Sequence, residues 1–207
     1  MKRWKEYSEY LETGEWHIHT GYTDGKNTID EYCARATQLG VPLVAFTEHV
    51  RRELSYDFEK FLSEIEAARE RYDLIILSGC EAKVLPDGTL DVEERILKRV
   101  DYPIFAFHSF PSTPERLVSA LRTSIRNPYV NAWAHPSTFF NRWEPHDMSA
   151  ELDDIFEILH QFDVLFEINK KYDDLPPLAR ERASTRRGGN VRGSDCHSIE
   201  QLIRAGP

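Results

Sequence analysis

The sequence predicts an α/β fold with a parallel sheet, because short apolar segments alternate about seven times with segments of helical periodicity. Residues 74–77, Leu-Ile-Ile-Leu, are entirely apolar, as in strands that are buried on both faces. Residues 57–72 instead carry apolar side chains at helical spacing. No proline- or glycine-rich linker and no internal repeat divides the 207 residues, so we expect one domain over residues 1–207.

In the first half of the chain, the predicted elements are strand 15–19, a helix from Thr28 to Gly40, strand 43–47, helix 57–72 and strand 74–77. Thr28 and Glu31 have the S/T-x-x-E spacing of a capping box, and Gly40 suits the left-handed conformation that ends a helix. Residues 85–88, Leu-Pro-Asp-Gly, predict a turn after the third strand.

In the second half, the predicted elements are helix 92–100, strand 104–107, a helix from Thr113, strand 130–134, a helix from Ser149, strand 164–166, helix 178–185, strand 191–193 and a last helix from Ser198. Pro114 suits the first helical position, where its missing N–H needs no partner. Ser198 and Gln201 have the spacing of a helix cap. This alternation of strands and helices favours a closed barrel or a doubly wound sheet.

Composition excludes several classes of function. The 26 basic and 35 acidic residues leave a formal charge of −9, which disfavours a free-standing nucleic-acid-binding protein. No apolar run approaches the ~20 residues that a membrane helix needs, and no signal peptide is visible. The 3 cysteines form no CxxC pair, which fits a reducing cytoplasm. We therefore expect a cytoplasmic protein, and the sequence leaves its oligomeric state open.

Each predicted strand ends at or near a residue that can bind a metal or exchange a proton. These residues are His17, His19, His49, Glu81, His108, His135, Glu167, Asn169, Asp195 and His197. In a parallel barrel, the carboxyl ends of the strands meet at one face, where active sites lie. The pairs His17/His19 and Asp195/His197 are spaced so that both side chains point to one face of an extended chain. The other two histidines, His146 and His160, fit a structural or exposed position.

Imidazole and carboxylate ligands without thiolates suit Zn²⁺, Mn²⁺ or Fe²⁺. Six histidines with several carboxylates exceed the ligands that one tetrahedral site can use, so two or three divalent metal ions are expected. A site with several metals can generate a hydroxide and hold the oxygens of a phosphate during in-line displacement.

Seven short motifs, in order along nearly the whole chain, resemble those of the PHP (polymerase and histidinol phosphatase) superfamily. The motifs are H-I-H-T-G-Y-T-D-G from His17, F-T-E-H from Phe46, G-C-E from Gly79, F-H-S from Phe107, A-H-P from Ala134, E-I-N from Glu167 and G-S-D-C-H from Gly193. The resemblance implies a distorted (β/α)7 barrel. It also implies hydrolysis of phosphate esters by a hydroxide that bridges two metals.

Carried over residue by residue, the resemblance implies three metal positions. The first is held by His17, His19, Glu81 and Asp195, the second by Glu81, His108 and His135, and the third by Asp24, His49 and His197. Glu81, Asp195 and His197 are the expected catalytic residues, with His197 near the leaving group. Glu167 and Asn169 would support ligands or contact substrate. The family commonly has T-D-H where this chain has Thr47-Glu48-His49, so Glu48 is expected only to support a ligand.

Four cations next to the motifs are expected to contact a phosphate: Arg51, Arg52, Lys170 and Lys171. Together with the acidic composition, they favour a small phosphorylated metabolite, such as histidinol phosphate, as the substrate. A 3'-5' exonuclease or phosphodiesterase is the alternative, although no basic run of useful length is present. A third interpretation is a catalytically silent scaffold that binds metal, which the intact set of motifs disfavours.

Overall fold

Seven strands form one parallel sheet in this computed structural model, which describes residues 2–108, 113–140, 149–169, 171, 175–185 and 189–204. The strands are β1 (Glu15–Ile18), β2 (Leu43–Val50), β3 (Ile75–Lys83), β4 (Tyr102–Ala106), β5 (Ala132–Trp133), β6 (Leu165–Asn169) and β7 (Asn190–Gly193). Each strand pairs with the next one along the chain, so their spatial order is β1 to β7.

Helices connect successive strands and cover the outside of the sheet. They are α1 (Ile29–Leu39), α2 (Phe58–Arg71), α3 (Glu94–Leu97), α4 (Pro114–Ile125), α5 (Ser137–Phe140), α6 (Ser149–Gln161) and α7 (Pro177–Thr185), with a 3₁₀ helix at Arg3–Tyr10 before β1. Within the described ranges, no helix is long and apolar enough to cross a membrane.

The sheet curls until its first strand meets the segment after its last strand. Ile18 forms a parallel bridge with Cys196. The backbone N–H of His19 donates to Cys196 O at 2.8 Å, and the N–H of Cys196 donates to His17 O at 3.0 Å. Seven parallel strands thus form a nearly closed barrel, which confirms the expected distorted (β/α)7 architecture.

The barrel interior is apolar in its lower part. Side chains of β2 alternate between the two faces: Leu43 and Ala45 point inward, whereas Val44 and Phe46 pack against the helices. The inner cluster contains Trp4, Leu11, Trp16, Leu43, Ala45, Leu77, Tyr102, Ile104, Ala106, Ala132, Ala134, Leu165 and Val191. Trp4 of the 3₁₀ helix, which the sequence did not predict, belongs to this cluster and helps to close the bottom of the barrel.

β1 departs from a regular strand at a point that matters for the interior. Glu15 pairs with Val44 and Ile18 with Phe46, so three steps along β1 match two along β2. Because of this bulge, Trp16 packs in the inner cluster while His17, the next residue, also lies inside the barrel. The bulge therefore separates the apolar bottom of the barrel from a polar top.

β2 and β3 continue well beyond the apolar runs that predicted them. β3 continues past residue 77 to Lys83, and β2 continues past residue 47 to Val50. The extra residues of β2 pair with β3, with His49 opposite Glu81, and those of β3 also pair with β4, with Lys83 opposite Ala106. These added residues are partly polar and do not continue the apolar runs, but backbone hydrogen bonds to the neighbouring strands keep them extended.

The predicted last helix from Ser198 is wrong for the described residues, where residues 199–201 form a turn. The predicted cap contact does form, since Gln201 Oε1 accepts from the N–H of Ser198 at 3.0 Å. The same oxygen also accepts from the N–H of His197 at 2.6 Å, so it closes a loop instead of starting a helix. The predicted helix 92–100 is shortened to α3.

The predicted capping box of α1 is confirmed, and it provides a test of local stability. Thr28 accepts from the N–H of Glu31, whose side chain accepts from the N–H of Thr28, and Gly40 ends the helix at φ 67°. We expect Thr28→Ala to lower the free energy of unfolding by about 1 kcal/mol, which corresponds to roughly 2–4 °C in Tm. Thr28→Ser keeps the hydroxyl and should melt like the parent protein. Equal losses for both variants in thermal melts would contradict the role of the cap.

Candidate metal centre

One buried carboxylate lies at the middle of the polar top of the barrel. Glu81 of β3 has no solvent exposure. Its oxygens lie within 4 Å of ring nitrogens of five histidines: His49 at 2.6 Å, His135 at 2.8 Å, His19 at 3.6 Å, His108 at 3.8 Å and His17 at 3.9 Å. The structure thus brings together residues that are separated by more than 100 positions in the sequence.

Strand periodicity explains why these side chains converge. The face of β2 that carries Leu43 and Ala45 continues upward to His49, and the face of β3 that carries Leu77 continues to Glu81. The other histidines lie on β1 or shortly after β1, β4, β5 and β7. The same alternation that fills the bottom of the barrel with apolar groups therefore places polar groups at its top.

His17, His19 and Asp195, here called the inner group, have the spacing of ligands around one ion. The two Nε2 atoms are 3.0 Å apart, and Asp195 Oδ1 lies 3.2 Å from His19 Nε2 and 3.6 Å from His17 Nε2. A tetrahedral zinc site with bonds of about 2.0–2.1 Å puts its ligand atoms about 3.3–3.4 Å apart. The inner group therefore fits a divalent metal such as zinc, and all three residues are buried.

Asp24, His49 and His197, here called the outer group, form a second set. Asp24 Oδ2 lies 3.4 Å from His49 Nε2 and 3.3 Å from His197 Nε2. Donor atoms of these three residues and of His19 all lie within 4.8 Å of one another. The Asp24 side chain is 55% exposed and both histidines are about a quarter exposed, so this set faces solvent.

A third set surrounds Glu81 itself. The potential ligand atoms of Glu81, His49 and His108 all lie within 4.8 Å of one another. His135, which the sequence resemblance places here, donates or accepts through Nε2 at 2.8 Å from Glu81 Oε1. His49, which the resemblance assigns to the third position alone, therefore touches two of the three sets. Metal binding by these residues stays a prediction.

Glu167 supports two of these histidines from β6. Its carboxylate lies 2.7 Å from His17 Nδ1 and accepts from the backbone N–H of His135 at 3.2 Å. Asn169 donates to the same carboxylate at 2.8 Å. Such partners fix the orientation of a histidine ring, so that its other nitrogen points to the metal. A Cβ atom at Gly193 would lie 2.6 Å from the Glu167 carboxylate, so only glycine leaves room for it.

The pKa values at the centre show how charge is balanced. Burial alone would raise the pKa of Glu81, but hydrogen bonds from His135 and His49 hold it well below its usual range. Burial would lower the pKa of His17, yet Glu167 and the other carboxylates raise it to about 10. Burial lowers the pKa of His19 to about 4, despite a hydrogen bond to Asp195. His19 is therefore neutral at physiological pH, which is the form that binds metals.

The backbone is strained at two of the predicted ligands. His135 has φ 30° and Asp195 has φ 50°, in the left-handed region that residues with a side chain rarely adopt. Such strain persists only where the surroundings determine the conformation, and it concentrates at functional sites. Here it turns the chain at the ends of β5 and β7, so that both side chains enter the cluster.

The predicted phosphate contacts differ in position. Arg51 is half-buried two residues after His49, and its Nη1 donates to Val50 O at 2.7 Å. Lys171 Nζ lies 3.0 Å from Asp195 Oδ2. Burial lowers the pKa of His108, which lies beside Glu81, to about 4. Arg52 is exposed, and its backbone N–H donates to Asp91 Oδ1 at 3.4 Å. Lys170 lies outside the described residues, as does His146, whereas His160 is exposed on α6 as expected.

Sequence reasoning missed supporting residues. Thr138 Oγ1 lies 3.2 Å from His135 Nδ1, and the short helix α5 that carries it was not predicted. Buried Glu15 accepts from the N–H of Ser194 at 2.8 Å and so holds the segment before Asp195. The three-residue spacing of Thr138 from His135 was the one local signal available. Glu15 gave none, because its partner lies 179 positions away.

Comparisons with known sequences agree with the motifs. The model of the PHP domain family matches residues 15–171. The DNA polymerase/3'-5' exonuclease PolX of Bacillus subtilis is 28% identical over 200 residues, which are 91% of this chain but 35% of that protein. A probable phosphatase of Clostridium acetobutylicum is 28% identical over 201 residues, which are 87% of this chain and 77% of that protein. The chain thus spans about a third of one relative and about three quarters of the other.

The fold also has a counterpart among solved structures. Histidinol phosphate phosphatase from Lactococcus lactis, solved in complex with zinc, L-histidinol and phosphate, superimposes with a TM-score of 0.64 at 19% identity. The match covers 91% of this chain and 88% of that chain. The family match runs from the start of β1 through the whole of β6 and includes Glu81 with its five histidines. This chain therefore belongs to the PHP domain family.

Proposed function

We propose that this protein is a metal-dependent phosphoesterase that hydrolyses a small phosphomonoester, in the manner of a histidinol phosphatase. The observation that carries the proposal is the buried carboxylate of Glu81, whose oxygens lie within 4 Å of five histidines at the open end of the barrel. Relatives named as phosphatases and the zinc- and phosphate-bound histidinol phosphate phosphatase support it.

The chain offers ligands for two to three divalent ions, with Zn²⁺, Mn²⁺ and Fe²⁺ as the candidates. His17, His19 and Asp195 would hold one ion. Asp24, His49 and His197 would hold a second ion. Glu81, His108 and His135 would hold a third. Bound ions of this kind activate water and neutralise charge on phosphate oxygens. Glu81 and Asp195 would fix the spacing of the ligands, and His197 would assist departure of the alcohol.

Two cations are placed to orient the substrate. Arg51 is half-buried two residues after His49 and can form paired hydrogen bonds with phosphate oxygens. Lys171, now paired with Asp195, would shift part of its interaction to a bound phosphate. The acidic surface, with a net charge of −9, opposes the approach of a long polyanion more than that of a small one.

An exonuclease is the second candidate, and the match to the polymerase and exonuclease PolX favours it. The two functions are separated by a screen of phosphorylated metabolites together with single-stranded DNA. The enzyme would be loaded separately with Zn²⁺, Mn²⁺ and Fe²⁺. Faster turnover of DNA than of any monoester at matched concentration would reject the phosphatase proposal in favour of the nuclease.

Metal addition should stabilise the protein, because ions bind the assembled ligands and not the unfolded chain. At a free concentration 100 times the Kd, we expect a gain of about 2.7 kcal/mol, or roughly 5–10 °C in Tm for a chain of this size. The measurement is a thermal melt of chelator-treated protein with and without Zn²⁺ or Mn²⁺. His160→Ala, at an exposed histidine outside the centre, should show the same gain. Identical melting with and without metal would contradict the centre.

Glu81→Gln should be the most damaging conservative change. It keeps the size of the side chain but removes the negative charge that faces five histidines. We expect a loss of kcat/KM on the order of 10³-fold, or about 4 kcal/mol, toward p-nitrophenyl phosphate. Glu157→Gln, at an exposed acid on α6, is the matched control and should retain full activity. An active Glu81→Gln enzyme would remove the basis of the proposal.

Arg51 and Arg52 are adjacent, but Arg51 is half-buried two residues after His49, whereas Arg52 is exposed. Arg51→Ala should raise KM for a small monoester about tenfold, which is the loss of one charged hydrogen bond of ~1.4 kcal/mol. Arg52→Ala should leave KM unchanged, and metal content should be the same in both variants. Steady-state kinetics with histidinol phosphate and p-nitrophenyl phosphate make the comparison. An equal effect of the two changes would show that Arg51 has no special contact with phosphate.

A further inference from the structure

We propose that Glu48 is a positioning residue that acts through Thr20 and Thr23 to hold Asp24 between His49 and His197, and so sets the metal affinity of the outer group. This inference rests on the metal-dependent function proposed above. It assigns to Glu48, Thr23 and Asn27 a role in binding the most exposed ion, although none of them belongs to the donor sets.

Glu48 is buried on β2, but its carboxylate serves the loop after β1. The residue has no solvent exposure and directly precedes His49. Its Oε1 accepts from the backbone N–H of Thr20 at 2.8 Å, and its Oε2 accepts from the Thr23 hydroxyl at 2.5 Å. Both oxygens of the carboxylate therefore attach residues 20–27 to the sheet. These residues are here called the Asp24 loop.

The far side of the Asp24 loop is fastened to the segment that carries His197. The N–H of Lys26 donates to His197 O at 2.8 Å. Asn27 Oδ1 accepts from the N–H of Ile199 at 3.1 Å. Within the loop, the N–H groups of Thr23 and Gly25 both donate to Thr20 O. The loop is thus held from β2 on one side and from the chain after β7 on the other, with Asp24 between the two attachments.

Asp24 has the most exposed side chain of the predicted ligands, so it depends on such support. His17 and Glu81 lie in strands, whereas Asp24 lies in a loop and its side chain is 55% exposed. A loop carboxylate that is free to move loses conformational entropy when it binds an ion, and holding it in place beforehand avoids that loss. Changes in the groups that orient metal ligands typically cost ~10–100-fold in metal affinity or activity.

The length of Glu48 matters in this arrangement. One carboxylate spans a backbone N–H at Thr20 and a hydroxyl three residues later. An aspartate at this position is one carbon shorter and would reach one partner at most. We therefore expect Glu48→Asp to weaken the outer group, whereas Glu48→Gln keeps the reach and an acceptor for Thr20.

The test is a metal titration of chelator-treated full-length protein, using Mn²⁺ or Zn²⁺ in a calorimeter, with metal content measured after desalting. Thr23→Val removes the hydroxyl at nearly constant size and is the main variant, because Thr23 is half-buried in a loop and the variant should fold. Thr23→Ser is its matched control. Glu48→Ala removes the partner of the Thr23 hydroxyl, and Glu48→Gln is its matched control.

We expect Thr23→Val and Glu48→Ala to weaken only the weakest-binding class of sites, by about 10–100-fold, and to lose that metal on desalting. Thr23→Ser and Glu48→Gln should bind like the parent. The melting temperature of the chelator-treated Thr23→Val protein should stay close to that of the parent.

Parent-like affinity of Thr23→Val and Glu48→Ala for every class of sites would overturn the inference and leave the proposed function intact. Equal weakening of all classes, with a lower melting temperature of the stripped protein, would overturn it as well, because Glu48 would then act on stability alone. If the parent protein itself bound no divalent metal, the proposed function would fail together with the inference.

Discussion

The organisation of the barrel top depends on one constraint, the neutralisation of a fully buried carboxylate. An unpaired charge removed from water costs several kcal/mol, so Glu81 needs positive or hydrogen-bonding groups on every side. Five histidine rings from four separate parts of the barrel supply them. The acidic shift of the Glu81 pKa and the basic shift of the His17 pKa are two sides of this balance. The same arrangement makes the site attractive to divalent cations, which can provide that charge.

The barrel can hold such a cluster because its interior is divided into two layers. The lower layer is packed with aliphatic and aromatic side chains, and the 3₁₀ helix adds Trp4 at the bottom. The rings of Trp16 and Tyr102 pack in this layer with their centroids 5.0 Å apart and their planes tilted by 58°. The upper layer is polar and opens at the carboxyl ends of the strands, as in other parallel barrels. Stability is therefore concentrated in one layer and chemistry in the other, on the same strands.

Groups behind the metal-competent residues give the cluster its geometry. Glu167 ties β1 to β5 by contacting both His17 and the backbone of His135, while Thr138 holds the other side of the His135 ring. Glu48 ties β2 to the loop that carries Asp24. These contacts also account for the strained backbone at His135, because the surrounding bonds leave that residue few alternatives. Each support joins two parts of the chain that are distant in sequence.

Local features of this protein can be predicted from its sequence. Periodicity predicted all seven strands, the capping box and Gly40 predicted the ends of α1, and the spacing of the motifs predicted which residues gather at the barrel top. The tertiary structure determined that His49 lies between two donor sets, that the β1 bulge turns both Trp16 and His17 inward, and that Arg51 is half-buried while Arg52 is exposed. It also decided the lengths of β2 and β3 and replaced the predicted last helix by a turn. This difference arises because local patterns act over a short range of sequence: alternation along a strand fixes which face a side chain occupies. Its neighbours across the barrel depend on strand register and loop closure, which join residues that no local pattern connects.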